Sequence, residues 1–431
     1  MMFSSELPSG RSVLIAAAAL IVLAVVPYIP FFALPHISDD YVQIELGRNY
    51  GPSSGWLQLA GDALYRCRAT SILLTNWTEQ LFGASSAVFQ AESTVLHVLN
   101  TLLVAALGLW RPIGWRLAVL AAGFFAVHEG HQEAVVWYAA VPELLVFLFA
   151  LLALHVWLRW LDAGRSRPLL YGLALALFIL ALLSKESAVA VVPLMAGAGY
   201  LSGKPVRAIV RDLLPFAAVS VLYALAIFAA KGTHLHLNDG TFAPGSHVAA
   251  VVARSTGRLL WVWGVLALAF LAMRSRLSAR RLLLAASAWI LITLLPYSFL
   301  SYMPYVPSRH VYWASVGLAF LVSGALLELW ETGWRHSRAL AIAAAGVILV
   351  HNCAYLWIKK YPQYERRAAP TERLVSYSER VKGPITVKCF PYSPEIAALT
   401  LKIRAGRPVE STLPDPDAKA GEGVYCDPEQ P

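Results

Sequence analysis

The stretch SVLIAAAALIVLAVVPYIPFFAL, from Ser12 to Leu34, contains no charged residue and runs directly into Pro35-His36-Ile37-Ser38-Asp39-Asp40. Crossing the hydrocarbon core of a bilayer takes roughly 20 consecutive, mostly apolar residues, and this stretch is long enough. It exceeds the apolar core of a typical secretory signal and lacks a small-residue cleavage site, so it reads as a retained anchor. Comparable runs recur around residues 98, 122, 147, 176, 194, 221, 266, 291, 320 and 348. Together they predict an all-α polytopic membrane protein of about 11 transmembrane helices. Composition points the same way. Of 431 residues, 58% are hydrophobic and 14% charged, where a soluble domain has about 25% charged. That excludes an ordinary cytosolic enzyme, a disordered chain and a disulfide scaffold. No internal repeat is visible, which excludes a solenoid.

The net charge of +9 is a topology signal. With the N-terminus inside, the short inner loops hold Arg11; Arg111 and Arg116; Arg159, Arg165 and Arg167; Lys204, Arg207 and Arg211; Arg274, Arg276, Arg280 and Arg281; and Arg335 and Arg338. The longer outer loops hold only Arg48, Arg66, Arg68, Lys185, Lys231, Arg254, Arg258 and Arg309. Excess Lys and Arg mark the cytoplasmic side, so the chain is expected N-in and C-out, and no nucleic-acid partner is implied. Residues 1–357 form the expected membrane domain. Its first outer loop spans residues 35–86, and its second, residues 231–257, carries His234, His236 and Asp239. Residues 358–431 are expected to form a small α+β extracytoplasmic domain with a disordered end. Cys389 and Cys426 share that outer tail, where a disulfide persists in an oxidising compartment, and a bridge between them is expected. Cys353 falls within the last span.

An ionisable side chain inside a span costs about 2.5–3.5 kcal/mol on insertion scales, so each one asks for a reason. Asp39 and Asp40 follow the first span; His128, Glu129, His131 and Glu133 lie between the third and fourth; Glu143 is inside the fourth. Lys185 and Glu186 join the fifth and sixth, and Arg309 and His310 open the tenth. Five connections on one side therefore carry charge at one depth, the pattern of an outward-facing cavity. Each group also has a plainer explanation. Asp40 with Gln43 fits a capping box, Lys185 and Glu186 fit an ion pair, and Arg309 fits a headgroup anchor. The string His128-Glu129-Gly130-His131-Gln132 falls short of the HExxH zinc motif, because position 132 is Gln. An acidic pair ringed by cations suits a lipid-linked sugar donor. A carboxylate can take the proton of an acceptor hydroxyl, and cations can hold the departing phosphate. No glycine-rich nucleotide loop is present.

At these residues the chain resembles the GT-C integral-membrane glycosyltransferases, and within them the membrane core of the TMTC-type O-mannosyltransferases and their bacterial relatives. The resemblance rests on Ser38-Asp39-Asp40-Tyr41, Tyr65-Arg66-Cys67-Arg68, Leu96-His97-Val98-Leu99-Asn100, Phe125-Ala126-Val127-His128-Glu129-Gly130-His131-Gln132-Glu133-Ala134-Val135, Pro142-Glu143-Leu144-Leu145, Leu183-Ser184-Lys185-Glu186 and Pro307-Ser308-Arg309-His310-Val311-Tyr312. Their order holds over about residues 36–320. Glu129 stands where the family has proline, no arginine precedes Glu143, and no tetratricopeptide repeats follow.

The resemblance implies a transferase that moves a sugar from a polyprenyl-phosphate donor, with inversion, to a protein, lipid or polysaccharide acceptor outside the cytoplasmic (inner) membrane. It implies Asp39 as general base with Asp40 second, and Lys185 and Arg309 on the donor phosphate. Arg68, His128, His131, Glu133, Glu143, Glu186 and His310 would line or orient the site. Some members of the superfamily need a divalent metal and others do not. Two other readings stay open: a transporter or flippase of lipid-linked sugars, although transporters usually show repeats and midplane broken helices, and a non-catalytic glycan-assembly subunit that keeps the fold.

Overall fold

The computed structural model describes residues 8–164, 166–232, 235–274, 276–408 and 423–428. His234 and most of the Pro- and Gly-rich end lie outside the described residues. The helices are α1 Gly10–Val25, α2 Asp40–Tyr50, α3 Trp56–Gly61, α4 Ala69–Phe82, α5 Ser86–Ala106, α6 Trp115–Val127, α7 Gln132–Val136, α8 Val141–Asp162 and α9 Pro168–Leu182. They continue as α10 Val191–Leu201, α11 Val206–Ala229, α12 Leu235–Asn238, α13 His247–Ala272, α14 Leu277–Leu294, α15 Ser315–Trp330, α16 Ser337–Ala354, α17 Tyr361–Arg380 and α18 Pro394–Ala405. Two short strands, β1 Thr386–Cys389 and β2 Val424–Cys426, pair in parallel.

Among the described residues seven helical segments are long and apolar enough to cross a membrane: Gly10–Ala33, Ser86–Leu109, Tyr138–Asp162, Val206–Ala229, His247–Ala272, Leu277–Phe299 and the apolar part of Ser337–Arg380. Shorter apolar helices stand at the other four expected positions, Trp115–Val127, Pro168–Leu182, Glu186–Leu201 and Ser315–Trp330. The bundle is organised around α8, which buries residues on every side from Val141 to Leu161. A helix apolar all round belongs in a core. By contrast α11 turns Val221, Leu222, Leu225 and Phe228 outward, as a lipid-facing helix does. α15 packs tightly on α14 because it carries glycine at the contact. A Cβ on Gly317 would lie 2.6 Å from the Ala286 carbonyl oxygen, and one on Gly324 would lie 2.1 Å from Leu282 Cδ2. Small residues are what let membrane helices approach this closely.

Several helices are joined by short 3₁₀ segments, among them Arg66–Arg68, Glu129–His131, Glu186–Ala190 and Ser308–Val311. Non-helical backbone is tolerated at membrane depth only where protein or a cavity surrounds it, and these segments carry Arg68, Glu129, His131, Glu186, Arg309 and His310 of the residues singled out from the sequence. After α16 the chain passes through a π-helical stretch, Tyr355–Lys360, straight into α17, so the last span leaves the bundle as one long helix. α17 then packs on α18 and the strand pair around Leu374, Ile385, Val387, Ala397, Leu401 and Tyr425. Cys389 and Cys426 are joined by a disulfide. This small α/β unit docks on α2 through Lys402 and Glu45, 2.5 Å apart.

Candidate active site

The turn before α2 sets the acidic pair. Ser38 has φ 49°, a left-handed conformation that is uncommon outside glycine and often marks a functional turn. It separates the fates of the two aspartates. Asp40 is buried, accepting the Ile37 N–H at 2.8 Å on Oδ2 and the Ala139 N–H at 2.8 Å on Oδ1. The expected capping box does not form, because Gln43 instead donates to Thr75 Oγ1 at 3.0 Å. Burial lifts the Asp40 carboxyl to about 7, against the downward pull of its two N–H bonds. Asp39 is only half-buried and accepts the Ser38 hydroxyl at 3.1 Å. Among the described residues it makes no ion pair, and it lies within electrostatic reach of Tyr65 and Tyr392.

Glu133 on α7 holds the Ser308–Val311 segment. Its Oε2 accepts the Arg309 N–H at 3.1 Å and lies 3.6 Å from the guanidinium. Burial opposes ionisation of Glu133, yet the Arg309 backbone and charge outweigh it and hold the carboxyl below its ordinary range. Gln132 donates to Ser308 Oγ at 2.7 Å and accepts the Tyr364 hydroxyl. Arg309 and Arg367 both lie over the Trp137 ring, at 5.0 and 4.8 Å from its centroid, a cation–π arrangement. Together with Arg258 and Lys360 they line a cavity of about 260 Å³ in which Glu133 is the one carboxylate among the described residues. Four cations against one acid give this lining a positive balance that suits an anion. Arg258, Lys360 and Arg367 were not among the residues expected. Arg258 counted only as an outer-loop charge, and the other two lie in the tail, beyond the last family-like motif.

Glu143 and Lys185, both expected in the site, are paired in the interior. Glu143 Oε1 meets Lys185 Nζ and lies 2.6 Å from His310 Nδ1, while Oε2 accepts the Tyr297 hydroxyl at 2.6 Å. The Ser187 hydroxyl lies 2.8 Å from the same Tyr297 oxygen, which can accept its proton. All three charged or titratable groups are at least nine-tenths buried. Lys185 is therefore committed to Glu143 rather than presented to a donor, and His310 anchors the same 3₁₀ segment that carries Arg309. Nearby, Arg68 grips Glu186 with contacts of 2.8 and 3.4 Å. His128 lies 3.1 Å from Glu129 on a second lobe of the cavity. His131 is placed away from it: it is fully buried, 2.7 Å from Ser315 Oγ, and packed among Phe125, Tyr312 and His97.

A divalent metal would need several oxygen or nitrogen ligands converging. Among the described residues no group of three or more His, Cys, Asp or Glu side chains is placed to hold one, and Asp40 already spends both oxygens on backbone N–H groups. No step is assigned to a metal.

No protein-family profile matches the chain, and no curated protein matches it in sequence. Its fold does match solved structures. The archaeal oligosaccharyltransferase AglB from Archaeoglobus fulgidus, in complex with an inhibitory peptide and a dolichol-phosphate, superposes with a TM-score of 0.53 at 11% identity, over 94% of this chain and 64% of that one. The Archaeoglobus fulgidus oligosaccharyltransferase in complex with Zn and sulfate gives 0.50 at 13% identity, over 92% and 62%. The chain thus spans just under two thirds of the length of these proteins. At such identity the likeness is one of fold. It does not reach the expected kinship with the TMTC-type enzymes.

Proposed function

We propose that this protein is a glycosyltransferase of GT-C type, moving a sugar from a polyprenyl-phosphate donor to an acceptor on the outer side of the cytoplasmic membrane. The chain would cross eleven times, N-in and C-out, so that the cavity and the α/β unit face outward. The observation that carries this reading is the cation-lined cavity of Arg258, Arg309, Lys360 and Arg367, at the end of an apolar bundle that also bears the Asp39–Asp40 turn. Neutralising a phosphate that departs with extra negative charge is what such a cluster does well. The fold shared with an oligosaccharyltransferase supports the reaction class.

In this reading Arg309 and Arg367 hold the donor phosphate, braced on Trp137. Asp39, half-buried and unpaired, is the base that takes the acceptor's hydroxyl proton as oxygen attacks the anomeric carbon. The bond from that carbon to phosphate oxygen breaks, and the polyprenyl phosphate leaves. Asp40, already bonded to Ile37 and Ala139, positions the turn instead of reacting. Lys185, Glu143 and His310 position Arg309 from within. The family-like assignment of Lys185 to the donor phosphate is thereby replaced by Arg367, Arg258 and Lys360. The polyprenyl tail would enter sideways from the lipid. The test is to reconstitute the protein in lipid nanodiscs with dolichyl phosphate bearing glucose, galactose or mannose, and with envelope extract as acceptor. A new covalent product in mass spectra is expected. Movement of the lipid across proteoliposomes with no product would favour a flippase instead.

A further inference from the structure

Beside the cation-lined cavity lies a neighbouring lobe of about 250 Å³, and Gln132, Arg258, Ser308 and Lys360 line both. Its other walls include Trp261, His351, Tyr355 and the His128–Glu129 pair, which come from α13, α16, the π-helical stretch and the turn after α6. Trp261 has φ 39° and ψ −148° in the middle of α13. A bulky residue in that region is strained and persists only where its surroundings impose it. The kink sets the indole 4.8 Å from the His351 ring, the two planes 27° apart. His351 Nδ1 is buried without a hydrogen-bond partner, although buried polar atoms are normally paired. Next to His351, the Asn352 side chain accepts the Glu129 N–H at 3.0 Å, and the Glu129 carboxylate lies 3.1 Å from His128.

We infer that this lobe holds a pyranose ring, the sugar carried by the donor whose phosphate lies in the first lobe. The inference rests on the glycosyl-transfer reading and extends it to a named subsite. A pyranose presents an apolar C–H face and a rim of hydroxyl groups. The lobe offers an indole–imidazole platform, a carboxylate–imidazole pair and a ring nitrogen with hydrogen-bonding capacity to spare. A bare phosphate would not use the platform, and a hydrocarbon tail would not use the polar groups. Arg258 and Lys360 border both lobes, so sugar and phosphate would be contiguous, as an anomeric phosphate ester requires.

The test is direct binding to protein in nanodiscs, using dolichyl phosphate alone and dolichyl phosphate bearing glucose, galactose or mannose. Wild type is compared with Trp261→Gly and His351→Ala. Glycine adopts positive φ without strain, so the first variant removes the indole while suiting the backbone. At least one glycosylated carrier should bind wild type more tightly than the bare carrier. Both variants should lose about tenfold for that ligand while staying within about twofold for the bare carrier, the scale of a lost aromatic contact. Arg309→Gln should weaken both ligands. The inference is overturned if the variants weaken both ligands alike, or if the sugar adds nothing to wild-type binding. Binding of none of the carriers to wild type is a different outcome, and it would remove the glycosyl-transfer reading itself.

Discussion

At the scale of single residues, the two neighbouring aspartates do opposite jobs. Asp40 accepts two backbone N–H groups in the interior, while Asp39 keeps a half-buried carboxylate with no ionic partner. Asp40→Asn turns an amide N–H₂ toward a backbone donor and should cost about 1–3 kcal/mol of stability, read as a lower melting temperature in detergent. The pH dependence has a definite sign. The Asp40 carboxyl is raised to about 7 from 3.8 in the unfolded chain, so the folded state binds the proton first as pH falls. Its contribution to stability is complete below about 4 and is lost as pH rises through about 7. Melting curves across that window should flatten in Asp40→Asn. The sequence showed the acidic pair but not this division, because adjacent letters do not reveal which carboxylate turns inward. The φ of Ser38 decides it.

At the scale of elements, the 3₁₀ segment Ser308–Val311 turns two consecutive residues in opposite directions. His310 enters the Glu143–Lys185 knot, and Arg309 faces the cavity. Removing one member of a buried pair strands the other, at about 3–5 kcal/mol, whereas replacing both with apolar groups is often tolerated. Glu143→Gln should therefore destabilise strongly, and Glu143→Leu combined with Lys185→Met should recover much of the loss. If that double variant stays folded and still binds dolichyl phosphate, Lys185 is a positioning residue; loss of binding in a folded double variant would return it to the donor site. The α14–α15 contact gives a second expectation. Gly317→Ala meets the Ala286 backbone, while Gly324→Ala meets only the tip of Leu282, so the first should cost more within the roughly 1–3 kcal/mol range of overpacking. The apolar runs were legible in the sequence at this scale. The pairing of Glu143 with Lys185 rather than Lys185 with Glu186 was not, since the partners come together only when α8 and the Glu186–Ala190 segment pack.

At the scale of the whole molecule, one end of an apolar bundle gathers charge from connections hundreds of residues apart, and the tail closes over it. Tyr364 of α17 reaches Gln132, and Arg367 shares the Trp137 ring with Arg309. A motif reading that ends near residue 320 finds the first half of the cavity and misses the cations that α17 delivers. The tail's part in the site was not legible, because its helix reads as an ordinary charged surface until it is folded back. The Cys389–Cys426 bridge closes a separation of 37 residues, and its reduction should destabilise the α/β unit by about 2–4 kcal/mol, detected as faster proteolysis within residues 380–428. The central claim is that this end of the molecule transfers sugar with Asp39 as base. The most direct measurement is the rate of sugar transfer from a polyprenyl-phosphate donor by wild type and by Asp39→Asn, each verified as folded. A loss of about a hundredfold or more, the scale of general-base catalysis, is predicted, with donor binding retained. Equal rates in the two proteins would contradict the account.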